Sequence, residues 1–337
     1  MEIKSSATAY SGPPLPAVDA APGRYSTSRA GWAWGLLGVA AFSLTVPLTR
    51  IAVGEGALSP LFVGAGRAVL AAVLAAAALA LTGQSWPRGQ QWLRLLIVTG
   101  GIVLCFPLLT SYALTTASAS HAAVVIALLP AATAVVAVLR GRERPPVLFW
   151  LVTGVGAAAA VIFAALSGGG MGSLQWADLL LFTAVIGAAF GYAEGGLLAR
   201  ELGAWQTISW ALVLGLPLML TLTAVAWFQQ PPVAGTLQWG AFLYLGVVSM
   251  FLGFFAWYRG LGIGSMAKVS QIQLIQPVLT LLWAALLLGE QLALATVAGG
   301  VAVVLCAGAA IRVRMAPARS PHDGKVRGKS SSVQEAK

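Results

Sequence analysis

The chain contains HAAVVIALLPAATAVVAVLRGRE at residues 121–143 and KVSQIQLIQPVLTLLWAALLLGE at residues 268–290. Each block of 23 residues begins with a histidine or lysine, has a proline at its tenth position and ends in glutamate. At a constant offset of 147, Pro130 aligns with Pro277 and Glu143 with Glu290. One matching proline carries little weight, but three features at identical spacing indicate a duplication. The sequence therefore predicts a protein built from two related halves.

The residues around these blocks are strongly apolar. Hydrophobic residues make up 58% of the 337 residues and charged residues only 9%, whereas soluble domains have about 25% charged residues. Runs of about 20 apolar residues cross a hydrocarbon core about 30 Å thick. The fold class is predicted to be all-α, a polytopic membrane protein with ten transmembrane helices. The predicted spans are 31–53, 58–82, 93–113, 119–139, 147–166, 178–199, 205–228, 238–258, 269–289 and 292–311.

The formal net charge of +10 first suggests a nucleic-acid partner, but the positions of the charges argue against one. Seven of the twenty Lys and Arg residues lie between Arg312 and Lys337. A basic segment next to a membrane span attracts anionic lipid headgroups. We therefore expect membrane lipid and no nucleic acid as a partner, with residues 1–29 and 315–337 as disordered tails that lack the apolar surface needed for folding.

The distribution of Lys and Arg predicts the orientation. If the N-terminus is cytoplasmic, eighteen of the twenty lie in the two tails or at even-numbered loops, and the odd-numbered loops have none. The positive-inside rule then places both termini in the cytoplasm, as expected for a multi-pass protein of the inner (plasma) membrane. Each half contributes five spans, so the second half enters the membrane from the opposite side. Such inverted repeats are common in secondary transporters; the alternative is a duplication retained for folding alone.

At this point the chain resembles the drug/metabolite transporter superfamily, in its EamA-type branch. The resemblance rests on Trp34-Gly35, Pro47, Arg50 and Arg67, together with a tyrosine ahead of each block, Tyr112 and Tyr258, and the Pro and Gly-Glu pattern of the blocks. It covers residues 31–311, as two repeats at 31–166 and 178–311. Arg142-Glu143 departs from the Gly-Glu that the family more often has. The resemblance implies ten helices, a central cavity between the halves, and export or exchange of amino acids, drugs or metabolites, often driven by an ion gradient.

Polar residues of the ninth span are the candidate solute-binding residues. At 100° per residue, one face carries four side chains, those of Gln273, Gln276, Thr280 and Trp283. This face either lines a wet cavity or forms hydrogen bonds between helices. Because Pro277 also frees a backbone carbonyl in the same turn, the cavity is the favoured interpretation. Pro130 is its counterpart in the fourth span, and both prolines are predicted structural or hinge residues.

Two charged residues lie inside predicted spans, where charges are costly. Arg67 is predicted to bind an anionic group of the solute or to act in gating; the alternative is an arginine that reaches the outer interface along its own stem. Glu194 is the candidate proton-coupling residue, because a buried carboxylate can bind and release a proton. Its alternative is a permanently ionised group at the inner interface, or one paired with Arg200.

Transport of a small-molecule solute by alternating access is the function that these observations favour. An intramembrane enzyme needs converging nucleophiles, acids or metal ligands, and the chain has two histidines and no HExxH or CxxC motif. We therefore predict no enzymatic activity, no metal site and no cofactor. A membrane receptor or scaffold without transport is the remaining alternative, although its usual large water-soluble loops are absent from this sequence.

Overall fold

The computed structural model describes residues 29–141, 146–167, 175–263, 269 and 271–315, and within these residues all regular structure is helical. The tails predicted to be disordered, 1–29 and 315–337, lie outside the described residues except for Arg29 and Met315. Glu143 and Lys268, which belong to the repeated blocks, also lie outside them.

The described residues form ten consecutive helical rods, each within about five residues of a predicted span at both ends. They are α1 (Arg29–Val53), α2 (Pro60–Thr82), α3 (Gln90–Ala113), α4 (Ala119–Arg140), α5 (Val147–Ser167), α6 (Trp176–Glu201), α7 (Ala204–Gln229), α8 (Thr236–Ile263), α9 (Ile272–Leu288) and α10 (Leu294–Met315). Eight of these rods are long and apolar enough to cross a membrane. In α5 and α9 the apolar stretches are shorter, Val147–Phe163 and Ile272–Leu288. The protein is thus a multi-pass helical protein, and the exact number of spans stays a prediction.

The turn between α3 and α4 shows how local sequence ends a helix in a nearly uncharged stretch. From Leu95 to Leu139 there is no charge to mark a loop. The sequence instead predicts the turn at its cluster of polar residues, Thr115, Thr116, Ser118, Ser120 and His121. In the structure α3 ends at Ala113, and the Ser118 hydroxyl accepts a hydrogen bond from the His121 backbone N–H at 3.1 Å. That bond caps α4 at its N-terminus and confirms the turn.

The two repeated prolines lie at breaks in α4 and α9. In α4 the first helical segment ends at Ile126 and the second begins at Leu129, so that Pro130 is its second residue. In α9 a 3₁₀ segment, Gln271–Ile275, precedes the α-helix Gln276–Leu288, whose second residue is Pro277. Proline has no N–H and cannot continue the helical hydrogen bonds, so it suits the first turn of a new segment.

The packing of the helices repeats when the halves are exchanged. Helix α1 packs against α8, and its counterpart α6 packs against α3; α2 packs against α7, α4 against α9 and α5 against α10. Glycines allow α3 to pack closely against α6, and α8 against α1. A Cβ on Gly101 would lie 2.1 Å from the Gly187 carbonyl oxygen, and one on Gly260 would lie 2.8 Å from the Gly35 nitrogen. Small residues at such crossings let helix backbones approach. This is the pattern of helix contacts that the predicted pseudo-two-fold relation between the halves would produce.

Candidate functional site

A small cavity lies where the broken helices α4 and α9 meet α1. Its volume is about 10 Å³, enough for one water molecule. Pro130 and Pro277 both line it. The other lining residues are Val46, Ala123, Ile126, Leu129, Gln273, Gln276 and Thr280. The cavity therefore lies between the two halves, at the breaks of both helices.

The two main walls of the cavity come from equivalent positions but differ in chemistry. At the offset of 147, Ile126 corresponds to Gln273 and Leu129 to Gln276. The wall formed by α4 is thus apolar, whereas the wall formed by α9 presents two amide groups. This asymmetry follows directly from the sequence, because both helices are broken just before the repeated proline while the side chains at the equivalent positions differ.

The two glutamines have polar atoms without a protein partner. Gln273 is 3% exposed and Gln276 is 8% exposed. Among the described residues, no group forms a hydrogen bond with the Gln273 Nε2 donor or the Gln276 Oε1 acceptor. Leaving such a buried group unpaired costs about 1–3 kcal/mol, so buried polar atoms usually meet a protein group, water or a ligand. One donor and one acceptor are therefore free to bind a guest in this cavity.

Thr280 and Trp283, the other two members of the predicted face, bind α1. The Thr280 hydroxyl donates to the Ser43 carbonyl oxygen at 3.0 Å and to the Gln276 carbonyl oxygen at 2.9 Å. The Trp283 indole N–H donates to the Ser43 hydroxyl at 3.0 Å. Thr280 still lines the cavity, and Trp283 is not among the lining residues. The face thus combines both interpretations, with its two glutamines at the cavity and its other two residues at an interhelical contact.

Arg67 is buried among helices of the first half. Its side chain donates to the Thr49 hydroxyl of α1 at 3.3 Å and to the Thr110 hydroxyl of α3 at 3.1 Å. At 2% exposure it does not extend into an interface, and it is not one of the residues that line the cavity. Within the described part of the chain, no carboxylate pairs with it. Arg67 is thus a buried cation that joins α1, α2 and α3.

Glu194 lies at the centre of an ion-pair network that joins the halves. Its two carboxylate oxygens accept from different arginines: Oε2 from Arg94 Nε of α3 at 2.9 Å, and Oε1 from Arg140 Nε of α4. Arg94 also contacts Glu201 Oε1 at 2.6 Å. The predicted alternative partner, Arg200, takes no part in these pairs. The arginines come from the first half and the glutamates from the second.

A second buried pair was missed by the sequence reasoning, which took Glu194 as the only acidic residue well inside a span. Asp178, 1% exposed, contacts the His121 ring nitrogen Nε2 at 2.6 Å and accepts from the Gln175 backbone N–H at 2.8 Å. The Gln-x-x-Asp spacing of a capping box was the available signal. Nearby, Glu290 accepts from the backbone N–H groups of Ala119 and Ser120, at 2.8 and 2.9 Å.

Beside this pair lies a larger space of about 840 Å³ between α4, α5 and α10. His121, Phe163 and Glu290 line it together with small residues of α10. Ile162 and Leu166, also in its lining, are 58% and 75% exposed. Its apolar rim is therefore directed outward, toward the lipid that surrounds a multi-pass protein.

Comparisons with known proteins agree with this architecture. The profile of the EamA-like transporter family matches residues 29–165 and again residues 175–311. The chain is 44% identical over 285 residues to the "Uncharacterized transporter YdeK" of Bacillus subtilis (strain 168), covering 84% of this chain and 97% of that protein. A solved structure described as "Crystal structure of protein" has the same fold, with a TM-score of 0.58 at 18% identity over 85% of this chain and 99% of that one. Since the family profile covers both halves, the chain belongs to the EamA-like transporter family.

Proposed function

We propose that this protein is a secondary transporter that exports or exchanges a small metabolite, amino acid or drug across the inner membrane by alternating access. The observation that carries the proposal is the cavity between the halves, where the amides of Gln273 and Gln276 have buried atoms without a partner. A solute bound there meets both halves at once. Tilting of one half against the other then exposes the solute to one side of the membrane or the other.

The ion pairs of Glu194 form the inner gate in this proposal. Arg94, Glu194 and Glu201 lie toward the ends of α3 and α6 that the charge distribution assigns to the cytoplasm. Because Arg94 and Arg140 belong to the first half and both glutamates to the second, the halves cannot separate at this end without breaking the pairs. In this proposal, the conformation in which these pairs are formed is the one closed toward the cytoplasm.

Glu194 is also the proposed site of proton coupling. In the closed gate its charge is balanced by two guanidinium groups. When the gate opens, these cations move away, and a lone carboxylate inside a span is costly. A proton that binds at this moment removes the charge and links proton movement to gate opening. Arg67 is proposed to assist from the opposite end as a gating cation, because its bonds to Thr49 and Thr110 hold α1, α2 and α3 together.

Pro130 and Pro277 are the proposed hinges. Both lie where a helix changes from one segment to the next, and both line the solute cavity. A helix without a continuous hydrogen-bond ladder bends at lower cost. Movement of α4 and α9 at these points would change the shape of the cavity while the outer segments stay packed.

The test is efflux from proteoliposomes that contain the purified protein and are loaded with a small-molecule extract of bacterial cells. Mass spectrometry of the external medium identifies solutes that leave faster than from protein-free liposomes. We expect at least one such solute, and we expect its efflux to fall in a Gln273→Leu, Gln276→Leu double variant. Gln206→Leu is the matched control, because Gln206 bonds to Gln84 away from the cavity. Identical efflux from liposomes with and without the protein would contradict the proposal.

A further inference from the structure

The lining of the central cavity constrains the chemistry of the solute beyond the proposed transport function. We infer that the cavity binds an uncharged solute with a carboxamide-like edge, which carries a donor next to an acceptor, and an apolar body. This inference rests on the proposed function, since it names the solute class for the same cavity. It is carried by the nine lining residues, none of which is charged.

The absence of charge in this lining disfavours ionised solutes. Moving a charge out of water into a site without a counter-charge is far more costly than moving an amide that finds hydrogen bonds. The buried charges described above lie outside this lining: the Glu194 carboxylate is bound by two arginines, and Arg67 donates to two threonines while its Nε has no hydrogen-bond partner among the described residues. A bound ammonium or carboxylate would therefore meet no counter-charge among the residues that line the cavity.

The unpartnered atoms specify the polar edge. Gln273 offers an N–H donor and Gln276 a carbonyl acceptor, three residues apart on one helix. A carboxamide, lactam or nucleobase-like ring has an acceptor and a donor on adjacent atoms and can satisfy both. A solute that forms hydrogen bonds with both amide groups is strongly preferred over one that leaves them unpaired, because an unpaired buried group bears its whole desolvation cost.

The opposite wall specifies the body of the solute. Val46, Ile126 and Leu129 line the same cavity as the glutamines with hydrocarbon side chains. A ring or branched hydrocarbon placed there gives up little hydration, whereas a sugar or a polyhydroxylated chain would bury hydroxyls without partners. The solute is accordingly amphipathic and small, since the closed cavity must widen to admit it.

Benzamide, benzoate and benzylamine form a matched series for the test, because they share one ring and differ as neutral amide, anion and cation. Equilibrium dialysis of each radiolabelled compound against the purified full-length protein gives its Kd. We expect benzamide to bind at least about tenfold more tightly than the two ions. Gln273→Leu and Gln276→Leu should each weaken benzamide binding about fivefold, the loss of one neutral hydrogen bond, whereas Gln206→Leu should leave it unchanged.

A variant that introduces a charge provides a second measurement. Gln276→Glu introduces a carboxylate into the cavity, so its preference should shift from benzamide toward benzylamine. Tighter binding of benzoate or benzylamine to the wild type, or failure of benzamide to bind, would overturn the inference. If the Gln→Leu variants still reduced proteoliposome efflux in that case, the cavity would remain the transport site and only the solute class would be wrong. If they changed neither binding nor efflux, the cavity would not be the transport site, whereas transport itself would fail only if efflux were equal with and without the protein.

Discussion

The amides of Gln273 and Gln276, the proposed binding residues, are expected to lower the stability of the empty protein. Both side chains are almost fully buried, and each leaves one polar atom without a partner among the described residues. A leucine in either position has nearly the same size and no polar atom to desolvate. Binding residues of this kind often reduce stability in exchange for function.

We therefore expect Gln273→Leu to stabilise the protein by about 1–2 kcal/mol while it weakens solute binding. Reversible unfolding in mixed detergent micelles measures the free energy of unfolding. Gln206→Leu is again the matched control and should be neutral or destabilising, because Gln206 donates to Gln84 at 3.1 Å. A destabilised Gln273→Leu would show that the amide is already satisfied in the empty protein.

The proposed coupling residue, Glu194, is tested by removing its charge. Glu194→Gln should abolish transport driven by a proton gradient while solute exchange or binding is largely retained, because the amide cannot carry the proton. Glu201→Gln is the control in the same network, since its side chain is 46% exposed and contacts Arg94 alone among these arginines. It should keep proton-driven transport. Normal uphill transport by Glu194→Gln would mean that coupling lies elsewhere or that the carrier is a uniporter.

Single residues also show what the sequence could and could not predict about the site. The helical period placed Gln273, Gln276 and Thr280 on one face, and all three line the cavity. The period could not separate them from Trp283, because that distinction depends on how α9 is rotated against α1. The sequence could not predict the partners of Glu194 for a different reason. Arg140 and Arg94 lie 54 and 100 residues away, so only tertiary packing brings them to it.

At the level of helices, close packing of α3 against α6 depends on a glycine pair. A Cβ on Gly101 would lie 2.1 Å from the Gly187 carbonyl oxygen, and a backbone atom cannot rotate away as a side chain can. Gly101 also lies in a π-helical segment, Thr99–Cys105, and a second π segment, Tyr244–Leu252, occupies the equivalent part of α8. π-Bulges are frequent at functional sites. The sequence showed many glycines in apolar runs but not which pairs meet.

Gly101→Ala should therefore force α3 and α6 apart and destabilise the protein by about 1–3 kcal/mol, the usual cost of overpacking. The neighbouring variant Gly100→Ala is the control, because nothing lies within 4 Å of its new Cβ. Its stability should be unchanged or slightly higher, since alanine is the better helix former. Thermal unfolding of both variants in the same detergent makes the comparison, and equal melting temperatures would show that the helices tolerate the added methyl group.

At the level of the whole molecule, the repeat was visible in the sequence because the constraints on the two halves are local. Pro130 and Pro277 each stand second in a helical segment, a position that suits proline, so the same residue recurs at the fixed offset. The pairing of helices, in which α1 contacts α8 while α6 contacts α3, could not be read from spacing. It depends on which apolar faces fit one another, and almost every face of such a chain is apolar. The periodicity therefore predicted the elements and left their arrangement open.

The orientation of the two halves in the membrane is the remaining prediction at this scale. Because eighteen of the twenty Lys and Arg residues lie on one side of the predicted topology, both termini should be cytoplasmic and the halves inverted. Reporter fusions after residues 143 and 203 should then read as internal, and fusions after residues 170 and 232 as external. Adding a Lys-rich segment after residue 232 should weaken or reverse the external reading of reporters fused near it, since the positive-inside rule acts through positive charge in short loops. Two or more reversed readings in the unmodified chain would exclude this topology, and with it the assignment of the Glu194 network to the cytoplasmic gate.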